Sequence, residues 1–421
     1  MMKHKFLPIF VIAVLVINGC LQRATPTLDF PTNTLLPTQT PRQTLNDAIE
    51  TAVLETSTVS PTKILEQDSN FTFQCLDIQP SIPDNFETMG NIVLKDYYGE
   101  RALYAIQLPT DNSNARIFSE EFIFYPAISP NGKLLASIDS SEEGVYRLVL
   151  VNLYDEIQKT MSWQDAWGIL IGWLNDNHLA LSYLTYDRDQ MIILNPFTGD
   201  MKNIAFEQFP DFNFILNFPW ANYDPTLSRV IYPTGGGSVL FDTENQKVLA
   251  EIPNGDQLQS TDVSWKMDGA SATVIGSIFP LTKRASEELF IVTRDGIVEQ
   301  LTNLANYYEN VVLSSPGWSP DGKHIAFWET DSLNEYQDRK LLIIDVDTKQ
   351  VTNYCLSTYH DLYGNFGEVL PAPIWSPDGT QILVENRYSE DHNRVVLIDI
   401  TKAIAVQIAQ DSRPIGWMTT P

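Results

Sequence analysis

The sequence predicts an all-β fold: a seven-bladed β-propeller of four-stranded antiparallel blades, closed by its C-terminal strand and preceded by a disordered stalk. Three observations predict it. A tight-turn stretch, Trp318-Ser319-Pro320-Asp321-Gly322-Lys323, returns as Trp375-Ser376-Pro377-Asp378-Gly379-Thr380. Weaker copies recur at intervals of roughly 40 to 50 residues, the period of one four-stranded blade. The last copy has almost nothing behind it, while the first unit lacks one strand, so the two ends together complete a blade.

The turn chemistry supports this reading. Pro at the first corner presets φ, Asp bonds nearby backbone, and Gly accepts the positive φ that closes the hairpin. Short β-favouring runs follow, Ile325-Ala326-Phe327-Trp328 and Ile382-Leu383-Val384. The weaker copies are Ile128-Ser129-Pro130-Asn131-Gly132, Trp173-Leu174-Asn175-Asp176-Asn177, Trp220-Ala221-Asn222-Tyr223-Asp224 and Trp265-Lys266-Met267-Asp268-Gly269. By subtraction the anchors lie 45, 47, 45, 53 and 57 residues apart, and Trp417 lies 42 beyond Trp375. In every copy but one the fourth residue after the anchor is Gly or Asn (Gly132, Asn177, Gly269, Gly322, Gly379), the types that most readily take the left-handed region. The copy at Trp220 departs, with Asp224 and then Pro225, and is expected to form a longer turn.

These turns resemble those of TolB-like, WD-repeat-like β-propeller proteins of bacteria, and the resemblance covers about residues 90 to 421. It implies an architecture and no particular activity. Nothing before the repeats reads as the N-terminal α/β domain of TolB itself, so the resemblance is to the propeller alone.

Taken in order, the chain begins with a basic start (Lys3, Lys5) and an apolar run from Phe6 to Ile17, ending at Asn18-Gly19-Cys20. The run is short for a membrane span and suits a signal peptide. It resembles a bacterial lipoprotein signal over residues 1–19, which implies a diacylated Cys20 as the new N-terminus; two acyl chains anchor stably. Residues 20–70 are rich in Thr and Pro (Thr25-Pro26-Thr27, Pro37-Thr38-Gln39-Thr40-Pro41, Ser60-Pro61-Thr62) and cannot bury a core. They are expected to form a disordered linker that lifts the propeller, residues 71–421, off the membrane.

The formal charge of −26 falls to −28 once Lys3 and Lys5 are removed with the signal. Such a surface repels nucleic acid and anionic lipid, so contact with the membrane is expected through the anchor only. A monomer on the outer face of the membrane, in the cell envelope, is expected. Cys75 and Cys355, the cysteines remaining in a compartment where disulfides persist, are expected to pair and pin the approach segment to the ring.

No motif points to catalysis. There is no Gly-x-Ser-x-Gly, and Gly235-Gly236-Gly237-Ser238 is more simply a flexible turn. No histidine pair has metal-ligand spacing, and Asp345-Val346-Asp347 and Asp187-Arg188-Asp189 read as turn formers before they read as calcium ligands. Neither metal nor cofactor is expected. The anchor tryptophans are expected to fill the space between blades.

Loop length is more informative. In a four-stranded meander the first-to-second and third-to-fourth turns emerge on one face, and the remaining connections on the other. The short turns crowd the first face. The second carries the long segments, Phe279 to Glu287, Asn303 to Ser315, Glu329 to Arg339, Leu356 to Ala372 and Asn386 to Arg394. Long loops over a rigid scaffold carry binding. Tyr307, Tyr308, Tyr336, Tyr359, His360, Tyr363, Arg387, Tyr388 and His392 are therefore the candidate contacts to a protein, peptide or glycan partner. The alternative is a propeller hydrolase with its site in the central channel, for which converging carboxylates would be the sign.

Overall fold

The computed structural model describes residues 70–419 except for 84–85, 89, 97–102, 109–114, 119–122, 143–144, 155–157, 165–167, 185–189, 213–220, 235–236, 253–262, 278–285, 309, 332–336, 361–370 and 389–391. The described strands form seven antiparallel four-stranded blades, with one extra parallel strand on each of two of them. Blades 2 to 5 follow the chain in simple meanders, at 123–164, 168–204, 222–252 and 263–300. Blade 6 is Val311–Trp318, His324–Asp331, Gln337–Asp345 and Val351–His360, from channel to rim. Blade 7 is Ile374–Trp375, Gln381–Arg387, Asn393–Asp399 and Ile404–Gln410. Blade 1 is composite: Ser412–Met418 is its innermost strand and pairs with Asn91–Asp96, followed by Leu103–Ile106 and Ala115–Phe118. The expected closure by the C-terminal strand is thus the observed one.

The core is distributed around the ring. Seven apolar clusters occupy the seven blade-to-blade junctions, for example Leu383, Leu397 and Val406 of blade 7 against Ile92 and Leu94 of blade 1. Middle strands are buried on both faces, which is why they read as continuous apolar runs such as Leu341-Leu342-Ile343-Ile344.

The anchor tryptophans tie one blade to the next. Trp173, Trp265, Trp318, Trp375 and Trp417 each donate the indole N–H to a carbonyl of the preceding blade, those of Ala127, Asn222, Ser264, Gly317 and Ile374, at 2.9–3.5 Å. Every one of these acceptors immediately precedes an anchor. The indole therefore both fills the junction and satisfies an inner-strand carbonyl.

This pattern corrects the reading of blade 4. Its anchor is Tyr223, because Trp265 reaches Asn222; Trp220 lies outside the described residues. Asp224 then takes the place of Ser319. The bonds Asp224 N–H to Arg229 O and Leu227 N–H to Asp224 O, both 2.9 Å, repeat those from Ser319 to His324 and from Gly322 to Ser319. The turn is the same length as its relatives, with Leu227 at φ 64° where Gly322 has φ 68°. Blade 3 departs too: its hairpin turns at Asp176-Asn177, with Asn175 opposite His178, so Asn177 is not called on for positive φ.

In the two strongest copies the turn is a closed hydrogen-bond set. Ser319 Oγ donates to Asp321 at 2.6 Å and accepts the N–H of His324 at 2.9 Å, while Asp321 accepts the N–H of Lys323 at 3.1 Å. Ser376, Asp378, Thr380 and Gln381 repeat it. Burial pushes both carboxyls up, but the serine hydroxyl and the backbone N–H outweigh it and hold Asp321 and Asp378 below their ordinary value. A depressed folded pKa adds stability that is present above the unfolded value of about 3.9 and is lost as pH falls through the folded one. The Asp321→Asn, Asp378→Asn double variant should therefore melt below the parent at neutral pH, with the gap closing below about pH 4. A gap independent of pH would show that the charge plays no part.

The segment before Asn91 runs along the outside of the ring. Phe71–Phe73 adds a parallel strand to Val351–Asn353 of blade 6, and Ile78–Gln79 does the same to Ala405–Val406 of blade 7. Both outer edges are thereby covered. Cys75 and Cys355 are bonded, with Cα atoms 4.7 Å apart and a sequence separation of 280. Closing so long a loop contributes about 2–4 kcal/mol. Cys75→Ser together with Cys355→Ser should lower stability by that amount in a denaturant titration, and an unchanged midpoint would remove the bridge from the account.

Candidate ligand-binding cleft

On the long-loop face the strands run further than the sequence indicated. Strands of blade 6 continue to Asp331 and restart at Gln337, so the connection is 332–336, and the outer strand continues to His360. Polar residues here pair through their backbones, Asp338 with Tyr359 and Gln337 with His360. Tyr359 and His360 thus stand on a strand and not in a loop; Tyr336, Tyr363 and Cys20 lie outside the described residues.

Tyr307 and Tyr308 follow the 3-10 turn Leu304–Asn306, which Glu288 holds by accepting the N–H groups of Leu304 and Ala305 at 2.8 and 3.0 Å. Both rings pack on Phe71, at centroid distances of 4.4 and 5.9 Å, and the Tyr308 hydroxyl accepts from Asn353 at 2.8 Å. They seat the N-terminal strand against blade 6. Tyr308 is therefore turned toward the ring rather than toward solvent, and burial pushes its hydroxyl up to about 12.

Arg387, Tyr388 and His392 stand at the hairpin between the second and third strands of blade 7. Tyr388 N–H donates to His392 O at 3.2 Å, which closes the connection between the second and third strands. The two rings lie nearly parallel, 6.0 Å apart, and the guanidinium of Arg394 sits 5.3 Å over the Tyr388 ring. Arg394 Nε also donates to Asn386 Oδ1 at 2.7 Å, so the ring and the cation are held in register. With 51% of its surface exposed, Tyr388 keeps the area needed for a partner. Arg387 Nε donates to the buried Glu385 at 3.0 Å, and Arg413 approaches the other Glu385 oxygen at 3.7 Å.

Beside these residues a cleft of about 470 Å³ opens between blades 6 and 7, lined by Leu76, Asp77, Ile78 and Leu356 and by Asn386, Arg387, Tyr388 and Arg394. An aromatic ring, the Arg394 guanidinium and an amide beside apolar side chains are the components of a recognition site. A larger hollow of about 900 Å³ in blade 4 is lined by Asp211, Thr234, Ser238 and Glu251 among apolar residues, with no cationic side chain in its lining.

No family model and no curated protein matches the chain. Solved structures do resemble it. TolB from Acinetobacter baumannii is 15% identical, over 79% of this chain and 68% of that one, with a TM-score of 0.47. A putative TolB from Agrobacterium tumefaciens is 16% identical, over 70% and 96%, at 0.39. A putative 6-phosphogluconolactonase from Bacteroides uniformis is 10% identical, over 79% and 99%, at 0.48. The chain is a seven-bladed β-propeller by its own strand order, and it is similar to these proteins. That statement concerns fold alone, and any activity has to be argued from the chain's own residues.

Glu287, Glu288 and Asp345, on which the hydrolase alternative could draw, are each engaged by backbone N–H groups. Burial pushes Glu287 up to about 7, but it accepts the Leu313 N–H at 2.6 Å, and Glu288 holds the 304–306 turn. Asp345 accepts both the N–H and the hydroxyl of Thr348, as a turn former does. Among the described residues no group of three His, Cys, Asp or Glu side chains is placed to hold a metal. The cleft residues that sequence reasoning missed are Arg394, noted only as the end of a loop, and Asn386. Their signal was the hairpin itself, which puts the two side by side across the strands.

Proposed function

We propose that this is a lipid-anchored, extracytoplasmic binding protein whose propeller recognises a protein, peptide or glycan on its long-loop face, at the cleft between blades 6 and 7. The observation that carries the reading is the exposed Tyr388 ring held beside Arg394 over that cleft. Exposed large aromatics with a fixed orientation lose little entropy on binding and recur as hot spots. Anchorage at Cys20 rests on the basic, apolar and Gly19-Cys20 start.

Two experiments test it. Partner capture from envelope extracts by the full-length protein should drop at least tenfold in a Tyr388→Ala, Arg394→Ala variant whose melting midpoint stays within a degree or two, because exposed side chains contribute little to the core. Undiminished capture would remove the cleft from the reading. For the anchor, Cys20→Ala protein should leave the membrane fraction and lose palmitate labelling; quantitative retention would exclude lipidation.

A further inference from the structure

Arg339 lies near the start of the third strand of blade 6, Gln337–Asp345, and is only 9% exposed. Its cross-strand partner is Thr358, whose hydroxyl accepts the N–H of Arg387 from blade 7 at 2.8 Å. Side chains paired across antiparallel strands share a face, so the guanidinium points into the junction between blades 6 and 7. There Nη1 donates to Ser314 Oγ on the innermost strand at 3.1 Å, while Nε is buried and donates to nothing.

Among the described residues most other arginines meet a carboxylate, the half-buried Arg394 on Asn386 and Tyr388 being an exception. Acids outnumber bases 53 to 27, and Arg147, Arg229, Arg294, Arg387 and Arg413 each face a carboxylate. Arg339 faces a hydroxyl. Burying a guanidinium with no counter-charge is unfavourable, and burial lowers its pKa only to about 10, so at neutral pH the charge stays. The Nε edge, buried and unpaired, is the side of the fork that grips the two oxygens of a carboxylate once the junction admits one.

We propose that Arg339 anchors a site for a carboxylate group, which enters between blades 6 and 7 from the long-loop side. Ser314 supplies a hydroxyl on the channel side. This deepens the reading above and rests on it, since it takes the long-loop face as the ligand face and gives the ligand a chemistry: a peptide with a free carboxylate, or an acidic sugar.

The test uses the full chain at low salt and follows the melting midpoint against four probes: tetra-alanine as free acid, the same peptide as its amide, glucuronate, and glucose. At least one acid should raise the midpoint with concentration while its neutral counterpart does not, and which acid does so identifies the source. Arg339→Met should weaken that response at least tenfold, yet melt at or above the parent without probe, because an apolar chain replaces an unpaired buried charge. Arg339→Lys, which keeps charge without the fork, should restore only part of the response. The inference is overturned if neither acid acts on the parent, or if Arg339→Met responds as the parent does. Should Tyr388→Ala abolish a response that Arg339→Met retains, the face binds but not through Arg339, and only this inference fails.

Discussion

Ending the chain at Asp411 should abolish the folded ring. Ser412–Met418 is the innermost strand of blade 1, in register with Asn91–Asp96 through six residue pairs from Asn91 with Met418 to Asp96 with Ser412. Its removal exposes the edge of a buried strand and the apolar junctions on either side, where Trp417 packs with Ile92 and Leu94 and where Ile415 and Met418 pack with Val93. Because each blade is buried only by its neighbours, an open ring loses two junctions and not one strand alone. The expected product is aggregated or without a cooperative melt. Gly90→Ala gives a graded version: at φ +115° a Cβ would stand 2.6 Å from the Met418 carbonyl oxygen, so it should lower the midpoint without preventing folding. A truncated chain that melts like the parent would mean that closure contributes nothing.

Trp375→Ala should cost about 3–5 kcal/mol, the range for emptying a large aromatic site in a core. Trp375 is 8% exposed, packs with Trp328, Ile382 and Val384, and its indole N–H satisfies Gly317 O at 2.9 Å. Trp375→Phe separates the two contributions. It keeps most of the ring and leaves the carbonyl unpaired, so it should cost roughly 1–3 kcal/mol. Urea titrations of both variants decide it, and a Trp375→Phe protein as stable as the parent would show that the hydrogen bond is immaterial.

Most of the fold was legible because the repeat unit carries two independent signals, a bulky anchor and a turn whose residues each have a conformational task. Where one signal is missing the reading slips. Blade 4 has Tyr223 as anchor and Leu227 in the left-handed region, while Trp220, three residues earlier, supplied a false match. A tertiary hydrogen bond, Trp265 to Asn222, defines the true anchor, and no local pattern reveals it. Loop extents were overstated for a related reason: Gln337 to Lys340 look like loop residues, yet the ladder to Ser357–His360 is made by backbone groups that are indifferent to side-chain polarity.

The site was less legible than the fold. Of the candidates Arg387, Tyr388 and His392, the rings of Tyr388 and His392 stack across the hairpin while the Arg387 guanidinium turns to Glu385. Tyr307 and Tyr308 looked the same in sequence but pack on Phe71, a strand more than two hundred residues away. Burial of Arg339 depends on the neighbouring blade, so composition could not distinguish it from an exposed arginine.

Amide hydrogen exchange of the full chain with and without its captured partner tests the central claim most directly, because it locates the bound face without altering a residue. Slowed exchange at Ser357, Thr358 and residues 386–394, with the turns at 319–323 and 376–380 unchanged, is the result this account predicts. Protection confined to those short turns would place the working surface on the opposite face and contradict it.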